Sequence, residues 1–277
     1  MSIPRTPADL RGGFLRLATE DTGVSGIPGR PAEVLWDQKV IDIDPEEGRI
    51  ALESGEQAKA DLLVAADGIK SMVRPYVVGD AVFQTARPSG LSTFRFTLEL
   101  HDFKTALKQL PEILQADQPP FLSMVYSFDN SMRSVVMYPA ETLNCLTLIA
   151  KNMKLWQLWD QDPLPTHIRS RTVLIGDAAH AMTPRQGQGR TQAVEDAEGF
   201  RLFLQKCVTS EHVPELPKDF DTVRRPRASQ IQDNTRKAKN KRTAEGVYML
   251  EKINWTYGGI MEELKAVEET TGMRICK

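Results

Sequence analysis

One stretch constrains the chain more than any other: Arg171-Thr-Val-Leu-Ile-Gly-Asp-Ala-Ala-His-Ala-Met-Thr-Pro-Arg-Gln-Gly-Gln-Gly-Arg-Thr-Gln-Ala-Val-Glu-Asp-Ala197. Residues 172–175 are a short apolar run rich in β-branched side chains, the pattern of a buried strand. The run stops at Gly176-Asp177. Turn formers follow, Pro184 and then Gly187-Gln188-Gly189, and apolar residues recur at helical spacing over 191–200. Strand, loop, glycine-rich turn and helix in that order place Asp177 at the carboxyl end of a strand, where a carboxylate suits a sugar hydroxyl. They also place the backbone N–H groups after Gly189 at a helix N-terminus. That position suits an anion or an electron-rich carbonyl, because first-turn N–H groups have no intrahelical partner and the dipole is positive there.

A second stretch, Asp61-Leu-Leu-Val-Ala-Ala-Asp-Gly-Ile-Lys-Ser-Met-Val-Arg74, repeats the theme. Residues 62–65 read as a buried strand, Asp67-Gly68 as the turn, and 71–74 as the start of a helix. A carboxylate would repel a pyrophosphate directly. Asp67 is therefore expected to accept hydrogen bonds from backbone N–H groups or to reach a ligand through water.

The run Gly176-Asp177-Ala178-Ala179-His180, then Pro184, Gly187-Gln188-Gly189 and Glu195-Asp196-Ala197, closely resembles the second FAD motif of the flavin-dependent aromatic hydroxylases, the family of salicylate and para-hydroxybenzoate hydroxylases. Asp67-Gly68 resembles the Asp-Gly motif of the same family, which lies by the FAD pyrophosphate and the nicotinamide nucleotide path. The resemblance implies an FAD- and NAD(P)H-dependent monooxygenase that uses O₂ to hydroxylate an aromatic or phenolic small molecule. It implies cofactor contacts at Asp67, Gly68, Gly176, Asp177, Gly187, Gln188, Gly189, Arg190 and Thr191. Asp177 would hold the ribityl chain, and the N–H groups around 189–191 would face the flavin N1–C2=O2 edge. The carbonyl of Pro184 would lie near the reacting centre. The family usually has a small residue followed by Asn where this chain has Arg190-Thr191. A cation at a helix N-terminus is unfavourable by ~0.3–1 kcal/mol unless an anion compensates. Reduced flavin or a substrate carboxylate could supply that anion. The alternatives for Arg190 are solvent, or pairing with Glu195 or Asp196.

The rest of the chain reads around these motifs. Residues 8–19 have helical spacing. The glycines of 23–29 have the wrong spacing for a phosphate loop and read as a flexible connection. Residues 34–53 alternate about a turn at 44–48, as a β-hairpin or meander. From Val82 the texture changes to strands at 93–100, 121–128, 134–138 and 145–150, with a short helix at 103–114, which suggests an antiparallel sheet. The hydroxylases carry substrate on such a sheet. Arg95 and Tyr138 resemble positions lining that cavity, and an arginine can hold a carboxylate or phenolate bidentately. A surface arginine and a core-edge tyrosine are the other reading. Residues 154–167 read as a connector, with Trp156 and Trp159 as packing residues and His167 as a loop histidine. Residues 220–227 lead into a polar helix over 229–243, and their basic cluster reads as a solvated helix face.

The fold class expected is α/β: an incomplete doubly wound FAD-binding fold (1–80 and 154–277) with an inserted antiparallel substrate sheet (81–153) and C-terminal helices. A net charge of −2 over 277 residues gives no general pull toward nucleic acid or anionic membrane. No apolar stretch approaches the ~20 residues needed to span a bilayer. Three widely spaced cysteines form no metal-ligand pattern. A cytoplasmic protein is the expectation. The Gly-x-Gly-x-x-Gly unit with which the family opens is not in this sequence, so FAD is expected to bind weakly or not at all. Three forms stay open: a truncated gene product, a chain completed by a second chain, or a derivative with a flavin-free function. That function would be a non-redox enzyme (isomerase, cyclase or hydrolase) working with Arg95, Tyr138 and His180, or a non-catalytic partner-binding remnant.

Overall fold

The computed structural model describes residues 7–21, 23, 26, 29–95, 98–99, 105, 123–126, 134–137, 139–140, 145–146, 154–206, 208–238 and 244–271. In chain order these form α1 (Pro7–Thr19), β1 (Val40–Asp44), β2 (Arg49–Leu52), β3 (Gln57–Lys59), β4 (Leu63–Ala65), α2 (Arg74–Val78), β5 (Arg87–Arg95), β6 (Leu98–Glu99), β7 (Ser123–Tyr126), β8 (Ser134–Met137), β9 (Pro139–Ala140), β10 (Cys145–Leu146), β11 (Lys154–Asp160), β12 (Ile168–Arg169), β13 (Thr172–Leu174), α3 (Asp177–His180), α4 (Gln188–Gly199), α5 (Leu216–Lys237), α6 (Ala244–Glu251) and α7 (Ile260–Thr271). The chain divides into two compact units, 1–37 with 92–156 and 38–91 with 157–277.

In the first unit the ladders are antiparallel, β6-β10-β9 and β7-β8, the latter in the register Ser123↔Met137 to Tyr126↔Ser134. The strand expected over 93–100 is instead β5, which starts at Arg87, followed by the short β6. The helix expected over 103–114 and Tyr138 lie outside the described residues.

In the second unit β1 and β2 form the expected hairpin about the turn at 44–48, and β3, beyond the expected range, extends it to three strands. The Asp44 carboxylate accepts the N–H groups of Glu46 and Glu47 and so closes the first turn. The sheet that positions the site has the order β12-β13-β4, with β13 and β4 parallel in the register Thr172↔Leu63 to Leu174↔Ala65. Thr172, Val173 and Leu174 are all buried, as a strand covered on both faces should be. One apolar core packs β4, β13 and α2, with Ala65, Val77, Leu174 and Ala178 at its centre. A second packs Val173 against Phe220, Val223, Ile260 and Leu264.

Two expectations need correction. Residues 154–160 are a strand, β11, paired with β5, not a connector. Apolar residues at 155, 156, 158 and 159 show no period-2 alternation, so pairing rather than pattern makes this strand. Trp156 on it is exposed rather than packed. Second, α5 runs unbroken from Leu216 to Lys237 with Pro226 inside it. An interior proline costs roughly 3 kcal/mol. Burial of Phe220, Val223, Ala228 and Ile231 along one face offsets that cost. The approach of α4 to α5 is close: a Cβ on Gly199 would stand 2.7 Å from Phe220 Cε2.

On α5, Asp219 has its pKa pushed up to about 6, by burial first and then by Glu268 and Glu215, with Lys218 opposing. The folded state thus holds this proton more tightly than the unfolded chain does. The favourable contribution is full below the unfolded value of about 4 and is lost as pH rises through about 6. Asp219→Asn should raise Tm at pH 8. Allowing for solvent screening of a half-buried group, the rise should be roughly 2–4 °C. Melting curves at pH 4 and pH 8 check this, since the two proteins should converge at the lower pH.

Candidate functional site

The parallel pairing of β4 and β13 sets the two sequence motifs side by side, at the carboxyl ends of neighbouring strands. After β4 the chain turns at Asp67-Gly68. The Asp67 carboxylate accepts the N–H groups of Met72 (2.8 Å) and Val73 (3.3 Å), just ahead of α2. After β13 it turns at Gly176, whose φ of 57° and ψ of −141° suit glycine and little else. Asp177 then opens α3 with its side chain exposed.

Arg74, fully buried, ties the two turns together. Its Nε donates to the Ala178 carbonyl at 2.8 Å, and its Nη2 to the carbonyls of Asp177 (3.2 Å) and Ile69 (3.1 Å) and, at 3.5 Å, of Gly68. Its Nη1 donates to Gln84 Oε1 at 2.8 Å. Burial lowers the Arg74 pKa, and the Asp67 and Asp177 carboxylates oppose that shift.

Pro184 begins a 3₁₀ turn that ends at Gly187, φ 67°. The Pro184 carbonyl accepts the Gly187 N–H at 3.1 Å. Helix α4 starts at Gln188, three residues earlier than the apolar spacing indicates, because left-handed Gly187 sets the start while 188–190 carry no apolar signal. The amides without intrahelical partners are therefore those of Gln188, Gly189 and Arg190. Thr191 follows them. The side chains of Arg190 and Thr191 are exposed, and Gln188 is buried.

Behind this surface lies a buried polar network. His180 Nε2 donates to Asp196 Oδ2 at 2.7 Å, and the Gly176 N–H donates to the same oxygen at 2.9 Å. Arg224 Nε donates to Asp196 Oδ1 at 3.0 Å and its Nη1 to Glu195 Oε2 at 2.6 Å. Arg224 Nη2 reaches the Gln192 carbonyl and Oε1. Arg227 donates to both Glu195 oxygens, at 2.7 and 2.9 Å. The Tyr257 ring covers both guanidinium groups, 5.3 Å from Arg224 and 4.7 Å from Arg227. For Asp196, burial alone would raise the pKa. His180, Arg224 and the Gly176 N–H outweigh it and hold the carboxyl below the usual range. Burial, and then neighbouring His180, push His167 down to about 3, so it stands as a neutral imidazole 5.9 Å from the His180 ring.

This network overturns three readings. The basic cluster of 220–227 is not a solvated face: Arg224 is 0% exposed. Glu195 and Asp196 pair with Arg224 and Arg227, which leaves Arg190 pointing outward. His180 is buried and hydrogen-bonded to Asp196, so it is not an acid poised in a cavity. His167 stands in the bend before β12, the loop histidine expected, and is buried there. The structure thus gathers Asp67, Gly68, Gly176 and Asp177 around Arg74, with 184–191 continuing from the second turn. Arg95 lies on β5, and its side chain is not among those described. Sequence reasoning missed Arg74, Asp196 and Arg224. For Arg224 a signal existed: it shares a helical stripe with Phe220, Val223, Ala228 and Ile231.

The family model for an FAD-binding domain matches residues 147–235, which hold β13, the Asp177 turn, α4 and most of α5. FAD-dependent monooxygenase phomE of Diaporthe leptostromiformis is 29% identical over 256 residues, 81% of this chain and 67% of the relative. A salicylate hydroxylase of Pseudomonas putida is 27% identical over 244 residues, 68% of this chain and 54% of the relative. The chain is similar to FAD-dependent monooxygenases and salicylate hydroxylases over most of its length. Two solved structures share the fold. A salicylate hydroxylase substrate complex superposes with a TM-score of 0.64 at 24% identity, covering 82% of this chain and 69% of that one. Klebsiella pneumoniae HpxO, complexed with FAD and uric acid, gives 0.65 at 18% identity, covering 96% and 71%. The chain spans 67% and 54% of the lengths of the two relatives, phomE and the Pseudomonas putida enzyme. Among the described residues no helix is long and apolar enough to cross a membrane, and no group of three or more His, Cys, Asp or Glu could hold a metal.

Proposed function

We propose that this chain carries the flavin-facing part of an FAD- and NAD(P)H-dependent monooxygenase that hydroxylates an aromatic or phenolic small molecule. The observation that carries the reading is the juxtaposition at the end of β13. An exposed carboxylate, Asp177, opens α3, which packs against α4, the helix whose Gln188, Gly189 and Arg190 amides lack intrahelical partners. These groups fit a flavin. The Asp177 carboxylate can accept hydrogen bonds from ribityl hydroxyls. The amides, at the positive end of the α4 dipole, can donate to the N1–C2=O2 edge, where a reduced flavin is negative. Arg190 adds a cation at that edge.

A bound flavin would supply the reaction of O₂ with two electrons taken from NAD(P)H; one oxygen atom enters the ring as a hydroxyl and the other leaves as water. The protein's share is to position and to stabilise charge. Arg74 keeps the Gly68 and Asp177 turns at fixed separation by binding the carbonyls of both. Arg95 is proposed to hold a substrate carboxylate or phenolate, with Tyr138 beside it. The Pro184 carbonyl is proposed to lie by the reacting carbon. The flavin-free alternatives lose His180 as an acid, since that ring is spent on Asp196.

Turnover in ¹⁸O₂ with added FAD, NAD(P)H and a panel of phenols and aromatic acids tests the proposal. One labelled hydroxyl per product molecule is expected. Reduced nucleotide consumed without any labelled phenol, or no consumption across the panel, would remove the monooxygenase assignment from this chain.

A further inference from the structure

We propose that Asp196 is the positioning residue of the Gly176–Asp177 turn, holding the Gly176 N–H so that the Asp177 carboxylate stands where a ligand meets it, with Arg224 and His180 acting through it. The inference rests on the reading that Asp177 faces the flavin, and it adds the device that puts Asp177 there.

Gly176 is the pivot. Its backbone angles are open to glycine, yet space does not demand glycine: an added Cβ would meet only Ala193 Cβ, at an ordinary 3.8 Å. The conformation itself is what must be held. On the carbonyl side the Ala179 and His180 N–H groups donate to Gly176 O at 3.0 and 2.9 Å. On the amide side the Gly176 N–H donates to Asp196 Oδ2 at 2.9 Å. A bond from an N–H to an ionised carboxylate is roughly twice as strong as a neutral one, and this carboxylate is 1% exposed.

The two carboxylate oxygens divide the work. Oδ1 takes Arg224 Nε from α5, and Oδ2 takes both Gly176 N–H and His180 Nε2 from the turn and from α3. A residue that merely tied α4 to α5 would need only the first oxygen. Asp196 sits on α4, the helix whose first amides form the other half of the candidate site, so one side chain fixes the turn relative to that helix. The charged and titratable groups facing it are His180 from α3, Glu195 from α4, Arg224 and Arg227 from α5, and the neutral His167 beyond His180. The cations keep Asp196 ionised in a place without water access. That is the condition for a strong bond to Gly176 across the pH range of the folded protein.

The Gly176 backbone amide, observed by ¹H–¹⁵N NMR, reads this bond directly. In the unmodified chain the proton should resonate far downfield, be protected from exchange, and hold its shift from pH 8 to pH 4. In Asp196→Asn it should move upfield, and FAD affinity should fall about tenfold. An unprotected Gly176 amide, or one that titrates with an ordinary carboxylate midpoint, overturns the proposal from the unmodified protein alone, whether or not the variant folds. So does a Gly176 signal that stays in place in Asp196→Asn while only Tm drops, the mark of a purely structural carboxylate. Asp177→Ala separates the two ideas. Unchanged FAD affinity in that variant, together with a Gly176 signal that moves in Asp196→Asn, defeats the flavin reading and supports the positioning role. The opposite pair of results overturns only the positioning role.

Discussion

Replacing Arg224 with alanine is expected to destabilise the protein by about 3–5 kcal/mol, the cost of leaving buried charges without their partner. The magnitude follows from what remains. Asp196 keeps His180 and the Gly176 N–H but loses its guanidinium, Glu195 keeps Arg227 alone, and the Gln192 carbonyl and Oε1 lose the donor they share. The loss is a large fraction of the ~5–15 kcal/mol that holds a typical domain folded. Urea denaturation of purified wild type and variant measures it. A loss below about 1 kcal/mol would mean that water reaches this network. Exchanging Arg224, Arg227, Glu195 and Asp196 together for apolar residues of similar volume should cost less than Arg224→Ala, because no carboxylate or guanidinium is then left without its partner. It should still displace Gly176, so stability and site geometry should separate in that variant.

Arg74→Met is expected to cost about 3 kcal/mol or more and to weaken any ligand at the two turns. The stem of Met fills the space, while the Ala178, Asp177 and Ile69 carbonyls and Gln84 Oε1 lose their donor. Each buried polar group left unpaired costs about 1–3 kcal/mol, and the costs do not simply add, since partial opening relieves several at once. Urea denaturation and hydrogen exchange across 66–73 and 176–180 check it. Both segments should lose protection together. Loss at one turn alone would show that Arg74 supports that turn and does not couple the pair.

The parts of this structure that could be read from the sequence are those with a strong local signal. The strands at 63–65 and 172–174 announce themselves as apolar runs closed by Asp-Gly and Gly-Asp, while their parallel pairing is a feature of the fold that no local pattern carries. The start of α4 was misplaced because its first turn, Gln188-Gly189-Arg190, is polar and its boundary is set by the backbone of Gly187. The strand 154–160 was missed because pairing with β5 overrides a pattern without alternation. The longest-range feature was the least legible. Nothing near Asp196 in sequence says that its partner lies 28 residues away on α5. A basic, proline-containing segment looked solvated because Arg224, Arg225 and Arg227 were read as a cluster. Resolved by helical position, Arg224 falls on the apolar face with Phe220 and Val223, and Arg225 pairs within its own helix with Asp221.

The central claim is that the turn after β13 meets a flavin. Equilibrium titration of the folded 277-residue chain with FAD, followed by flavin fluorescence and run in parallel on Asp177→Ala, tests it most directly. The account expects weak but saturable binding, reduced about 10–150-fold in the variant, the equivalent of the ~1.5–3 kcal/mol carried by hydrogen bonds to a charged group. Equal affinity of the two folded proteins, or no saturable binding to the wild type, would contradict it.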